Sequence, residues 1–290
     1  MAFTLVLNSA NNVGSTNTQF QYKFLTGNFV AKDMEMCLSS AAIPYSFFNV
    51  STYYNNKLFQ LLFPTVATTQ PLTINLPNGF YQISDINSYI QNQCLLNGLY
   101  LVNSSGQNVF FFEMVVNVST YTIQTVYFPL PTSGTYVSLG YTLPKSGTYS
   151  LAGGLPTASN KIPQLVLPAN APLAIMGFVA GTYPSSSTSA VSVSVSSTST
   201  PVGSAINSLI ARCNCLKNTI AMPSDILDAF PINADFGGAI LYNPNFEKWI
   251  SIGDGTYSNI IFSLVDQNFN TINAQDPNVC ITLLIRKKGY

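Results

Sequence analysis

The chain has 290 residues, of which 8% are charged and 47% hydrophobic, with 11 basic and 11 acidic side chains and no histidine. Ordinary soluble domains carry roughly 25% charged residues, and a surface this poor in charge keeps itself monomeric poorly, which implies burial against other subunits. The neutral balance argues against a nucleic-acid groove, which needs clustered Lys and Arg, and the missing histidine excludes Ser-His-Asp and Cys-His catalysis together with the His ligands of most catalytic zinc sites.

Taken in order, Phe3–Leu7 is a short strand-like run that gives way to the polar NSANNVGSTNT, so residues 1–18 read as a mobile or partner-bound N-terminal arm. Gln19–Leu25, with Phe20, Tyr22 and Phe24 on one face, predicts the first strand. Asp33–Ile43 predicts a second, ended by Pro44, and Lys57–Phe63 a third, closed by Pro64; the aromatic, Asn-rich Tyr45–Asn56 connects them. Leu72–Leu76 is another strand and Pro77-Asn78-Gly79 a turn. One helix is predicted over 84–96. Ser84 is its N-cap, Asp85 suits its first turn, Ile86, Tyr89, Ile90 and Cys94 share a face, and Asn97-Gly98 stops it.

Val109–Val116 and Tyr121–Phe128 predict a hairpin around Asn117–Thr120. Pro129–Pro163 reads as loop, Leu165–Leu167 as a short strand, and Pro172–Gly177 as one helical turn with Pro at a tolerated early position. In the low-complexity tract Ser185–Thr200, Val191, Val193 and Val195 alternate with serine, which suits a surface hairpin or loop. Asn207–Cys213 and Asn218–Met222 predict strands, and Ser224 is placed to cap a helical turn through Leu227–Ala229. Ala239–Tyr242 and Trp249–Ile252 lead to two final strands. There Ile260, Phe262 and Leu264 alternate with Ile261, Ser263 and Val265, and Cys280, Thr282, Leu284 and Arg286 with Ile281, Leu283 and Ile285. With Asp266, Asn268, Asn270, Asn273, Asp276, Pro277 and Asn278 as turn residues between them, they read as a last hairpin packed on both faces.

Many short strands and one helix predict an all-β fold, a sandwich or jelly roll. Residues 71–205 hold only Asp85, Glu113, Lys145 and Lys161 as charges and read as an insertion. The expected organisation is an arm over 1–18, a first part of the sandwich over 19–70, the insertion over 71–205, and a second part over 206–290.

Candidate chemistry is sparse. Cys37, Cys94, Cys213, Cys215 and Cys280 are odd in number, scattered and without a CxxC, so buried reduced thiols and a reducing compartment are expected rather than a disulfide framework. Cys213 and Cys215 would share a strand face and could form half of a metal site, but with no histidine two more cysteines would have to come from afar. Asp225 and Asp228 stand three apart, and a glycosidase pair would need facing carboxyls; the plainer reading is a helix-start charge beside a solvated neighbour. Gly237-Gly238 and Gly253-Asp254-Gly255 lack the Lys and context of phosphate loops, and Asp254 and Asp276 lack a calcium-loop spacing. Arg286, Lys287 and Lys288 read as a solvated basic end. Phe47, Phe48, Tyr53, Tyr54, Phe110, Phe111 and Phe112 divide between core, subunit interface and a ligand platform, with core the default. Met1–Leu7 lacks the basic start and apolar length of a signal peptide, so the matches to the glycosylation sequon at Asn49, Asn103 and Asn117 read as chance. No stretch is apolar and unbroken enough for a membrane-spanning helix. No catalytic, cofactor-binding or metal residue is assigned.

Four stretches in this order resemble one family: LTINLPNGFYQISDINSYI (72–90), VVNVSTYTIQTVYFPLP (115–131), LAIMGFVAGTYP (173–184), and residues 236–288 ending in VCITLLIRKK. They resemble the penton, or minor capsid, proteins of virophages, polinton-like viruses and Maverick/polinton elements. The resemblance implies a single jelly roll built from both chain ends, with a mainly β upper domain, carrying one short helix, inserted between two strands. It implies a homopentamer at icosahedral vertices surrounded by double-jelly-roll major capsid capsomers, no catalysis, and residence in the virion. The insertion would point outward, with a host surface receptor as its expected partner. The alternative reading is a carbohydrate-binding β-sandwich or a virion spike or attachment protein, since single jelly rolls serve all these roles.

Overall fold

The computed structural model describes residues 2–25, 27–157 and 159–289. Its strands in chain order begin with β1 (Ala2–Asn8), β2 (Gln19–Lys23), β3 (Phe29–Ala31) and β4 (Met34–Pro44). Next come β5 (Leu58–Pro64), β6 (Thr69–Asn75), helix α1 (Ile83–Asn97), β7 (Leu101–Val102), β8 (Asn108–Val109), β9 (Phe112–Asn117), β10 (Thr122–Tyr127), β11 (Gln164–Leu167), a single helical turn α2 (Leu173–Met176), β12 (Gly181–Tyr183) and β13 (Val193–Ser196). The last group is β14 (Ser208–Cys213), β15 (Ile226–Pro231), β16 (Ala239–Tyr242), β17 (Ile250–Ser251), β18 (Gly255–Tyr257), β19 (Asn259–Asp266) and β20 (Cys280–Lys287). Two compact units result, one from Met1–Phe48 with Ala205–Tyr290 and one from Asn49–Ser204.

The first unit is a jelly roll, and strand order alone establishes it. One sheet runs β1-β20-β4-β16, with β17 also on β4, and the other runs β15-β14-β19-β2. Numbering the eight main strands of this unit by sequence, the first pairs with the eighth, the eighth with the third and the third with the sixth. In the second sheet the second pairs with the seventh, the seventh with the fourth and the fourth with the fifth. These are the paired Greek keys of a jelly roll. Period-2 burial supplies the core between the sheets: Leu5 and Leu7, Ile281, Leu283 and Ile285, Met36, Leu38 and Ile43 from one, and Phe20, Ile260, Phe262, Leu264, Leu209 and Phe230 from the other.

Several expectations change here. Residues 2–18 are no arm, because β1 pairs with β20 along its whole length, from Ala2↔Arg286 to Asn8↔Cys280. The polar run after it is tied down as well, with the Thr18 hydroxyl donating to the Ile272 carbonyl and the Asn17 amide to that of Ala274. The two final strands are not a hairpin: β19 pairs with β14 and β2, while β20 lies in the opposite sheet between β1 and β4. Each buries one face, Ile260, Phe262 and Leu264 on β19 and Ile281, Leu283 and Ile285 on β20, while the other face is mostly half-buried. Asn218–Met222 is not a strand, and Leu227–Ala229, expected in a helical turn, lies in strand β15 paired to β14.

The second unit begins at Asn49, not near residue 71. Strand β5, expected in the jelly roll, spends its hydrogen bonds within this unit, on β6 from Leu58↔Asn75 to Pro64↔Thr69 and on β11. Its sheets are β12-β11-β5-β6 and β13-β10-β9, with a short β7–β8 ribbon. Helix α1 starts one residue before the expected Ser84, and its cap is Gln82, whose backbone N–H donates to the Asp85 carboxylate at 2.8 Å. Ile83, Ile86, Ile90 and Cys94 form its buried stripe, and Gly98 ends it in the left-handed conformation. Part of the Ser/Thr tract is ordered: Val193–Ser196 pairs with β10, and the Ser197 hydroxyl accepts from the Ile123 N–H at 3.0 Å.

Candidate functional site: edges, clusters and a cleft

Strands at the ends of the two jelly-roll sheets define its lateral edges. At one edge stand β1 and β2. At the other stand β15 and β16, joined by Phe230 stacked on Tyr242 with ring centroids 4.3 Å apart. The two edges present different residues. Phe3, Val6 and, just past β2, Leu25 project at the first, Leu241 and Phe246 at the second, and Ile220 and Met222 from the loop that precedes β15. Leu25, Ile220 and Met222 are 97%, 97% and 94% exposed. The Asn218 side chain braces this last loop: its carbonyl accepts the Ile220 and Ala221 N–H groups and its amide donates to the Ile226 carbonyl. Fully exposed apolar side chains on a braced loop are the sort of feature that marks a contact surface.

Asp225 and Asp228 do not face each other. Asp225 is held by Arg212 in a two-pronged pair, with contacts of 2.7 to 3.1 Å. Asp228 is buried on β15 and accepts the Tyr242 hydroxyl and the Lys248 ammonium, each at 2.7 Å. That hydrogen bond raises the Lys248 pKa, and burial followed by the same carboxylate raises that of Tyr242. Each carboxylate is thus committed to its own cation. This is a structural arrangement, and the expected helix-start role falls because the segment is a strand.

The remaining candidates sort similarly. Asp254 accepts the N–H of Asp33, far away in the sequence, and Asp276 that of Asn278 within its own turn. The Gly237 N–H donates to the Tyr45 carbonyl and the Gly238 carbonyl accepts from Tyr45, which closes the loop before β16 onto the end of β4. Cys213 and Cys215 are brought together, sulfurs 3.4 Å apart, and no group of three or more His, Cys, Asp or Glu among the described residues could hold a metal ion. Arg286 is not a solvated end: it donates to Glu35 at 2.6 Å and its guanidinium lies 3.8 Å over the Trp249 ring. Phe47, Phe111 and Phe112 are core, Phe48 and Phe110 are half-buried, and Tyr53 and Tyr54 are exposed, edge-to-face at 5.1 Å.

The inserted unit has an open, mostly apolar cleft of about 320 Å³ lined by Phe80, Tyr81, Val116, Tyr121, Ile175 and Pro201. Neither the cleft nor the lateral edges were found from sequence. The signal at the edges was an Ile-Ala-Met run between Asn218 and Pro223, apolar residues where turn chemistry predicts exposure.

The strand order defines this chain as a single jelly roll carrying a second unit between its third and fourth main strands. No protein-family model and no curated protein matches it. Among solved structures it is similar to a mavirus penton protein, at 8% identity and a TM-score of 0.43 over 98% of this chain and 97% of that one. It is also similar to a chain of the Sputnik virophage, at 10% identity and a TM-score of 0.39 over 99% and 98%.

Proposed function

We propose that this chain is a structural capsid protein that assembles as a homopentamer at the five-fold vertices of an icosahedral virus, closing a shell of double-jelly-roll major capsid capsomers. The observation that carries the proposal is the pair of unlike apolar edges on one jelly roll. A cyclic ring needs two different, mutually complementary patches on each subunit, whereas a two-fold dimer needs one self-complementary patch. The low charge of the chain suits burial of both edges. The family resemblance of residues 72–90, 115–131, 173–184 and 236–288 supplies the vertex and its neighbours. The role is structural rather than catalytic, in keeping with Asp225 and Asp228 each paired to its own cation and a chain without histidine.

Light scattering across a concentration series tests the ring, with a species near five times the 31.4 kDa chain mass expected. Cryo-EM of particles tests the vertex, and five-folds without density of this size overturn the assignment. The cleft at Phe80, Tyr81 and Tyr121 favours an additional attachment role for the inserted unit, because an open apolar cleft with two half-buried rings and the exposed Tyr121 suits a receptor or glycan. A glycan array with wild type and Tyr121→Ala checks that role, and equal signals from the two proteins remove it.

A further inference from the structure

The structure assigns a modification site to Cys213 and Cys215: we propose that the pair is an oxidisable dithiol that closes to an intramolecular disulfide by exchange with a small-molecule disulfide such as oxidised glutathione. In extended chain, residues i and i+2 lie roughly 6.6 Å apart at Cα, at the far limit of the roughly 4.4–6.8 Å that a disulfide accepts. Here the chain turns as β14 ends. The Leu216 N–H donates back to the Cys213 carbonyl at 3.1 Å, so Asn214 and Cys215 are the central residues of a turn. The turn shortens the span and aims both thiols the same way, sulfurs 3.4 Å apart.

This turn is also where the two sheets of the jelly roll are stitched. Cys213 pairs with Phe262 on β19 in one sheet. Beyond it the Cys215 carbonyl accepts the Gly253 N–H at 2.9 Å, and the Lys217 N–H donates to Ser251 on β17, which belongs to the other. A bond between the sulfurs would fix the crossing.

The exchange balances without another reagent. One cysteine thiolate attacks a sulfur of the small disulfide, forming a mixed disulfide and releasing one thiolate. The second cysteine gives up its proton, attacks the mixed disulfide and releases the other. Two cysteine thiols and one disulfide become one protein disulfide and two small thiols. Both sulfurs are buried, and the hydrogen bond to Cys215, with burial, pushes the Cys213 thiol well above its usual range. The reaction therefore runs through local opening of the turn: the pair stays reduced where the chain folds and closes slowly in an oxidising medium.

The test incubates native protein with oxidised glutathione, then unfolds it, alkylates the remaining thiols and maps the peptides. Exposed Cys280 serves as the internal clock. The expected result is joint loss of Cys213 and Cys215 from the alkylated pool, in one peptide lighter by two hydrogens, faster in dilute urea and reversed by dithiothreitol. Cys215→Ser abolishes the bridge and leaves Cys213 free or singly glutathionylated. If both cysteines of the wild type are still alkylated in dilute urea after Cys280 is fully modified, the proposal is overturned. Stable glutathione on each thiol overturns it too.

Discussion

The hydroxyl of Tyr149 donates to the backbone carbonyl of Pro64 across 2.8 Å inside the core of the inserted unit. Tyr149 belongs to the segment 129–163, which has no long strand of its own, and Pro64 ends β5. This buried hydrogen bond ties an irregular stretch to the β5 sheet, in addition to the backbone pairing of Thr142 with Val102 on β7. Tyr149→Phe keeps the ring and leaves the carbonyl unpaired, at an expected cost of about 1–3 kcal/mol by denaturant unfolding. Unchanged stability would mean that the segment is held by its apolar residues and by backbone hydrogen bonds such as those of Thr142 with Val102 and of Tyr149 with Gly98.

Gly98 and Gly147 meet back to back. A Cβ on Gly98 would sit 2.2 Å from the Ser146 carbonyl oxygen, in a backbone with φ of +62°. Gly98→Ala should destabilise by about 2 kcal/mol or more, combining left-handed strain with a clash against backbone. Gly106 has φ of +78° and nothing within 4 Å of a Cβ, so Gly106→Ala shows the strain by itself, about 1 kcal/mol. Equal losses at the two positions would remove the close-approach argument.

Alkaline pH should weaken the fold. Burial, then Glu247, pushes Cys37 up to about 11, and burial pushes Cys94 up to about 12. For a raised group the unfolded chain loses its proton first, so the native state binds more protons and stability falls as pH rises. The contribution is whole below about pH 8.5, where the unfolded thiol is still protonated, and is lost progressively up to each folded value. Raised Tyr149, Tyr242 and Lys248 act in the same direction at higher pH. Urea midpoints at pH 7, 9 and 10.5 check this, and Cys94→Ala should flatten the decline between pH 9 and 10.5. A midpoint that holds steady across that range would contradict the buried-thiol account.

Trp249 is the only tryptophan, so its fluorescence reports on the Arg286 stack. Arg286→Lys keeps the charge and loses the planar face, with an expected cost of about 1 kcal/mol and a shifted emission maximum. An unaltered spectrum would show that the stack is not populated in solution.

Strand existence was largely legible in the sequence, and strand partnership was not. Alternation at Ile281, Leu283 and Ile285 marks a strand, but nothing in it says that β1, at the other end of the chain, lies alongside. The same gap turned β1 into an arm. The last two strands looked like a hairpin because they are consecutive, although their connection, 267–279, far exceeds the few residues of a usual hairpin loop and so already spoke for a crossing between sheets. The boundary near residue 71 followed charge, which thins there, whereas the hydrogen bonds of β5 change partners earlier. Asp225, Asp228 and Arg286 were visible as residues but not as pairs, since each partner comes from a different strand or loop. The thiol pair was anticipated on a strand face; the turn that brings the sulfurs into contact was not.

Strand β20 lies between β1 and β4, and both of those are made early. On a ribosome adding about 5–20 residues per second, roughly 12–50 s separate the end of β4 from the end of β20. Throughout that interval two strands hold open edges for a partner not yet complete, whereas residues 49–204 contain every strand of their own sheets as soon as residue 204 is added. Birth order therefore runs against position in the chain: the middle can finish first and the beginning must wait for the end. A chain cut short between residues 204 and 280 would carry a complete insertion and no central strand for its first sheet, so such an interrupted translation product could not pass for the finished protein.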